Sequence, residues 1–201
     1  QVDFLESNLD YVLVCHQYRI MDGCVGQSSC EWLQNITHFN FDFYIVSNTW
    51  VIQPLTVLFR TCSFNYEEYS LYRNSKDVTL FYYLLKSGDG FLMQDEMGVY
   101  RLHDGGTFSN LSWVDKIIGN LTTISSINDV ECDKSSAIML KCYFDKNIPY
   151  LGRKTMFKKR RLFYTIFCKL WTYFGFMCVC RRLIYMIFKV DNKILRWLST
   201  N

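Results

Sequence analysis

Proline is scarce, with Pro54 and Pro149 the only two in 201 residues, and no stretch is low in complexity or internally repeated. With half the residues hydrophobic, a disordered chain and a repeat solenoid are both excluded. Nine cysteines are present, yet none forms a C-x-x-C pair. Cys178 and Cys180 make a C-x-C, but no further His or Cys cluster completes a zinc set. An odd count, with Cys15, Cys168 and Cys178 inside apolar runs, reads as buried free thiols in a reducing compartment. The opening QVDFLESNLD is too acidic and too short of apolar residues for a signal peptide, so the N-x-S/T sequons at Asn35, Asn110 and Asn120 carry little weight. The first residue is not Met, and the chain reads as a piece of something longer. In the basic C-terminal stretch the longest uncharged run, residues 170–180, has eleven residues. A membrane-spanning helix needs ~20, so none is expected there.

What is abundant is aromatic surface, 17% of residues, and a charge division hidden by a net +3. Residues 1–145 carry 9 Lys/Arg against 18 Asp/Glu, whereas residues 146–201 carry 13 Lys/Arg and a single acid, Asp191. The length suffices for one domain with a core and an appendage. The division places a globular domain at 1–146 and a basic helical tail at 147–201 that seeks an anionic partner.

Along the chain, QVDFLES predicts a helix with Val2, Leu5 and Leu9 on one face, and DYVLVCHQYRI (10–20) a strand covered on both sides. Residues 21–40 read as loop, and FDFYIVSNTW as ambiguous. LTVLFR (55–60) predicts a strand begun by Pro54. Ser75 is placed as the N-cap of a helix that buries Val78, Phe81, Leu84 and Leu85 and is ended by Gly88 and Gly90. GFLMQD and MGVYRLH predict two short strands at a sheet edge, and 111–128 and 134–146 two helices. The fold class is therefore α/β, a mixed sheet followed by basic amphipathic helices.

From residue 153 the pattern becomes helical and amphipathic. Arg161, Thr165, Lys169 and Thr172 oppose a stripe of Leu162, Phe163, Ile166, Phe167, Leu170 and Phe174. Arg182, Tyr185, Lys189, Lys193 and Arg196 repeat the polar side. Two readings stand: residues 153–198 lie in the interface of an anionic membrane, or the helices cover the globular core. Nucleic acid is not expected as the partner, because the basic residues alternate with large apolar ones and no nucleic-acid module is visible.

Two polar points stand out in the acidic part. Asp77 sits in the first turn of a helix, where an acid merely complements the helix dipole. His103 ends the strand of YRLHDGG, where an imidazole can be incidental. Their order has a wider context. QVDFLESNLDYVLVCHQYRIMD, then TWVIQPLTVLFR, then SKDVTLFYYLLKSGDGFLMQDEMGVYRLHDGGTFS resembles the C-terminal half of bacterial family 2 glycosyltransferases of the GT-A fold, over roughly residues 1–110. The most specific part is an Asp opening a helix, a Gly turn, and a strand ending Tyr-Arg-x-His with Gly-Gly.

The resemblance implies an inverting transferase that moves a sugar from a nucleotide diphosphate to an acceptor hydroxyl. Asp77 matches the general base, although Lys76 stands where the family usually has Glu. His103 matches a histidine that can ligate a divalent metal, Mn or Mg, on the donor diphosphate. Trp50 and Gln53 fall where the family lines its acceptor pocket. The chemistry needs these types: a carboxylate takes the proton of the attacking hydroxyl, and a Lewis acid stabilises the leaving diphosphate. An imidazole nitrogen suits Mn best.

The family's nucleotide-binding turn and D-x-D aspartates, which complete the metal site, precede the matched segment and are absent here; DVECD (129–133) lies on the wrong side of His103. The expectation is thus a fragment holding the acceptor half, inactive by itself, from an enzyme of bacterial surface polysaccharide or glycolipid synthesis. Its partners would be a nucleotide-sugar donor and a sugar or lipid-linked acceptor. Its location would be cytoplasmic, peripheral on the inner face of the plasma membrane. The alternative is a non-catalytic membrane-surface or interaction module that retains a degenerate transferase core.

Overall fold

Val12, Leu13, Val14 and Cys15 are all buried, and this run is the axis of the first half of the molecule. The structure is a computed structural model and describes residues 1–22, 25–28, 35–47, 52–103, 105–106, 110–176, 178–180 and 182. The protein is α/β, with a mixed open sheet. The chain divides into two compact units, Gln1–Lys116 and Ile117–Asn201. The division falls inside a helix, well before the change in charge at 146.

In chain order the first unit contains α1 (Val2–Ser7), β1 (Tyr11–Asp22), β2 (Val25–Ser28), β3 (His38–Phe39), α2 (Phe41–Ser47), β4 (Leu58–Phe59), α3 (Tyr66–Tyr69), α4 (Asp77–Leu85) and β5 (Asp89–Leu102). The sheet order is β2–β1–β5–β3, with β4 pairing β1 beside β2. β1 and β5 run parallel over their whole length, from Tyr11 opposite Asp89 to Asp22 opposite Leu102. Every other pairing is antiparallel.

Both covered faces of β1 follow from its β-branched, apolar run. Leu13, Val14, Cys15 and Leu92 have no exposed surface, and Phe39, Tyr82 and Leu84 pack into the same core. Burial pushes the Cys15 thiol up to about 12, so it stays protonated at neutral pH. Arg60 ties the first helix to the sheet: its guanidinium donates to the carbonyls of Tyr11 (2.8 Å), Asn8 (3.3 Å) and Leu5.

Several expectations change. α1 forms, but Val2 and Leu9 are exposed and only Leu5 is buried. The region read as loop contributes β2 and β3. FDFYIVS is helical, as α2. The predicted strand at 55–60 shrinks to β4, because Pro54–Thr56 is a 3₁₀ turn. The two short strands are one strand, β5, which passes through irregular pairing: His16 opposes Met93, but Gln17 opposes Glu96 and Tyr18 opposes Gly98. Residues 94, 95 and 97 are the surplus that these bulges absorb.

Gly88 and Gly90 do not terminate α4 by a left-handed cap, since its C-cap, Lys86, is right-handed and neither glycine has a positive φ. Space is what they supply. A Cβ on Gly88 would stand 2.5 Å from Val12 Cγ1 and 2.8 Å from the Asp10 carbonyl oxygen, and one on Gly90 would stand 2.3 Å from the Phe39 ring. The Asp10 oxygen cannot yield as a side chain can. Gly88→Ala is therefore expected to lower the stability of the first unit by about 1–3 kcal/mol, read as a shift of the urea midpoint at unchanged slope.

The second unit contains most of α5 (Trp113–Glu131), then α6 (Lys134–Asn147), α7 (Arg153–Lys158) and α8 (Arg160–Phe174). α5 buries Leu121, Ile124 and Ile127, α6 buries Ala137, Leu140 and Phe144, and α8 buries Phe163, Ile166 and Leu170. Phe144 lies 6.1 Å from Phe163 and 5.7 Å from Phe167, ring centre to ring centre. Buried polar groups are paired: Asn128 donates to Ser136 Oγ at 2.7 Å, and Asn120 to the Tyr143 hydroxyl at 3.1 Å. The Asn120 sequon is therefore enclosed in the fold. Among the described residues no helix is long and apolar enough to cross a membrane.

Two cations assigned to the outer face of the tail are turned inward. Lys169, with its side chain only 13% exposed, pairs with Asp129 Oδ1 at 2.7 Å and donates to Ser125 Oγ at 2.9 Å. The Arg182 guanidinium makes a two-point contact with the Asp145 carboxylate. Cys168, expected to be buried, is exposed, as are Cys62 and Cys132. Tyr185, Lys189, Lys193 and Arg196 lie outside the described residues.

Candidate functional site

Asp77 is the first residue of α4, and Lys76, not Ser75, is the N-cap. The start is fixed from both sides. The Asp77 carboxylate accepts from the Val78 amide at 2.8 Å, and the Thr79 hydroxyl accepts from the Lys76 amide at 3.3 Å. α4 holds this position because Phe81, Tyr82, Leu84 and Leu85 anchor its inner face; Val78 is only half-buried. Asp77 itself is half-buried, so its carboxylate is reachable.

Two phenols feel its charge. Burial, and then the Asp77 charge, push the Tyr44 hydroxyl above its ordinary range, and Tyr44 donates to the Val78 carbonyl at 3.2 Å. Burial is also the main cause of the upward shift of Tyr69; its hydrogen bond with Ser75 opposes that shift and the Asp77 charge adds to it. Tyr69 belongs to an aromatic group with Phe64, Tyr72 and Tyr83, with ring centres 5.1–6.3 Å apart. Sequence reasoning missed both: Tyr44 lies 33 residues before Asp77 and Tyr69 eight, and no periodic pattern links either to it.

His103 follows the last residue of β5 and is exposed. Its carbonyl accepts from the Gly106 amide at 3.1 Å, which turns the chain just past the strand. Asp22 and Leu102 are paired neighbours, so the carboxyl ends of the two parallel strands coincide and His103 emerges there. In open α/β sheets that edge is where ligands bind.

Gln53 precedes the Pro54–Thr56 turn, and its carbonyl accepts from both the amide and the hydroxyl of Thr56. Its side chain is half-buried. Leu55, two residues on, comes against Gly98 of β5, which the His16 ring also approaches, so the turn that follows Gln53 packs beside the bulged middle of the β1–β5 pair. Trp50 lies outside the described residues.

Among the described residues no group of three or more His, Cys, Asp or Glu side chains could hold a metal ion. The carboxylates of DVECD have structural partners: Asp129 pairs with Lys169, and Asp133 caps α6 by accepting from the Ser136 amide at 2.8 Å. His38, the remaining strand histidine, sits at the opposite, amino end of β1 and β5, between the Tyr11 hydroxyl (3.1 Å) and Asp89 (3.5 Å). No protein-family model, curated protein sequence or solved structure matches the chain.

Proposed function

We propose that the chain is the acceptor-side portion of an inverting glycosyltransferase that uses a nucleotide-diphosphate sugar, with Asp77 as general base. One observation carries the reading: a reachable aspartate opens a helix, a glycine-spaced turn follows, and a strand then leads to Tyr-Arg-Leu-His at the carboxyl edge of a parallel pair. In this mechanism the acceptor hydroxyl gives its proton to the Asp77 carboxylate while its oxygen bonds to the anomeric carbon. The bond from that carbon to the diphosphate oxygen breaks, and the nucleotide diphosphate leaves with the electron pair. Attack and departure on opposite faces invert the anomeric configuration. Gln53 and Trp50 are the proposed acceptor contacts.

One imidazole does not hold a divalent ion, so the described residues do not by themselves fit a metal. His103 would enter such a site only beside carboxylates from outside these residues. The test is the longest reading frame that contains this chain, assayed for transfer from a panel of nucleotide-diphosphate sugars, with product configuration read by NMR. Transfer with inversion is expected. A frame that opens at residue 1, or retention of configuration, would replace the enzyme reading with the non-catalytic module or with other chemistry.

A further inference from the structure

Of the two readings of residues 153–198, one gives the apolar stripe of α8 to a membrane and the other to the core; the centre of that stripe, Phe163, Ile166 and Leu170, is buried within the second unit. A neighbouring side of the same helix, between the buried stripe and the polar face, is not polar. Tyr164 is 72% and Trp171 54% exposed, and the flanking Phe157 and Phe176 are 74% and 55% exposed. Trp171 follows Tyr164 at i+7, two turns on, so they share one face, about 10.5 Å apart along the axis. Two of the flanking rings have near neighbours: the Arg160 guanidinium lies 6.0 Å from the Phe157 ring centre, and the Trp171 and Phe176 rings are 5.0 Å apart.

Single exposed apolar side chains need no explanation, but four large ones within twenty residues do. Their electrostatic setting is equally one-sided. Lys158, Lys159, Arg160 and Arg161 are consecutive and exposed, and no Asp or Glu occurs between Asp145 and Asp191.

We infer that this outward face of α8 and its flanks, Phe157, Arg160, Arg161, Tyr164, Trp171 and Phe176, docks on the surface of an anionic lipid bilayer. Tyr and Trp settle at the headgroup level, Phe reaches just below it, and the adjacent cations meet the lipid phosphates. A convex helix face offers no groove, which single-stranded nucleic acid would need to track its backbone past stacked aromatics. The docking depends on the fold of the second unit and not on whether Asp77 acts as a base.

The experiment is flotation of the full chain with vesicles of phosphatidylcholine containing one third phosphatidylglycerol, against vesicles of phosphatidylcholine alone. The protein is expected to float with the anionic vesicles only and to be released by salt. Tyr164→Ser with Trp171→Ser should weaken binding about tenfold or more with an unchanged circular-dichroism melt, and each exposed cation changed to Gln should weaken it about fivefold. Brominated lipid should quench tryptophan emission in the parent chain, and Trp171→Phe, which keeps a ring in place, should remove that quenching without loss of binding. Absence of salt-sensitive flotation, equal flotation of the double Ser variant, or unquenched emission would overturn the proposal. So would tighter binding of a single-stranded oligonucleotide lost in the same variant, or self-association lost in that variant.

Discussion

Asp77→Asn is expected, if Asp77 is the general base proposed above, to cut sugar transfer by about 10²–10⁴-fold in the longest reading frame that contains the chain, with donor binding unchanged. The substitution suits the question because asparagine is isosteric and its Oδ1 still accepts from the Val78 amide at the start of α4. What it loses is the ability to take a proton from the acceptor hydroxyl. That loss raises the barrier by about 2.7–5.5 kcal/mol. If Asp77 serves only to complement the helix dipole, the same change costs about 0.3–1 kcal/mol of stability and leaves turnover alone. The two outcomes differ in kind as well as size: one lowers kcat at constant donor affinity, the other lowers an unfolding midpoint at constant kcat. Retained turnover would remove Asp77 from the mechanism and return it to its role in starting the helix.

How far the sequence could be read depends on where each signal is written. β1 was legible because its apolar run is local and long, and α4 because its buried residues recur at helical spacing on a short stretch. β5 was divided in two because Gln94-Asp95-Glu96-Met97-Gly98 looks like a turn. The strand continues through it only because its neighbour β1 accepts the surplus residues as bulges, and that information lies some eighty residues away. β2 and β3, four and two residues long, are strands by pairing and not by composition. Lys169 was placed on an outer face because cations usually are; Asp129 and Ser125 on another helix turn it inward. Asp77 and His103 could be singled out only through a resemblance in the order of elements. The phenols beside Asp77 arrive from α2 and α3 with no local mark of their destination.

The apolar stripe of α8 poses the sharper problem, since one 3.6-residue pattern serves equally for a core and for a bilayer, and only the partner decides. In the structure that partner is α6, through Phe144, which has no exposed surface and meets Phe163 and Phe167. Phe144→Ala is therefore expected to destabilise the second unit by about 3–5 kcal/mol, from lost transfer energy and the cavity left behind. That is a large share of the ~5–15 kcal/mol that holds a domain folded. The measurements are urea unfolding by circular dichroism and limited trypsin digestion, where cleavage at Lys158–Arg161 should accelerate as α8 loosens. Tyr164→Ala, on the exposed side of the same helix, should change stability by no more than about 0.5 kcal/mol. If Phe144→Ala leaves unfolding unchanged, the stripe is not core and lipid becomes its natural partner. If the predicted loss is found, a bilayer can take the stripe only by pulling it from α6. Anionic vesicles would then have to lower the stability of the parent chain, whereas docking through Trp171 and Tyr164, which leaves α6 and α8 together, can only raise it.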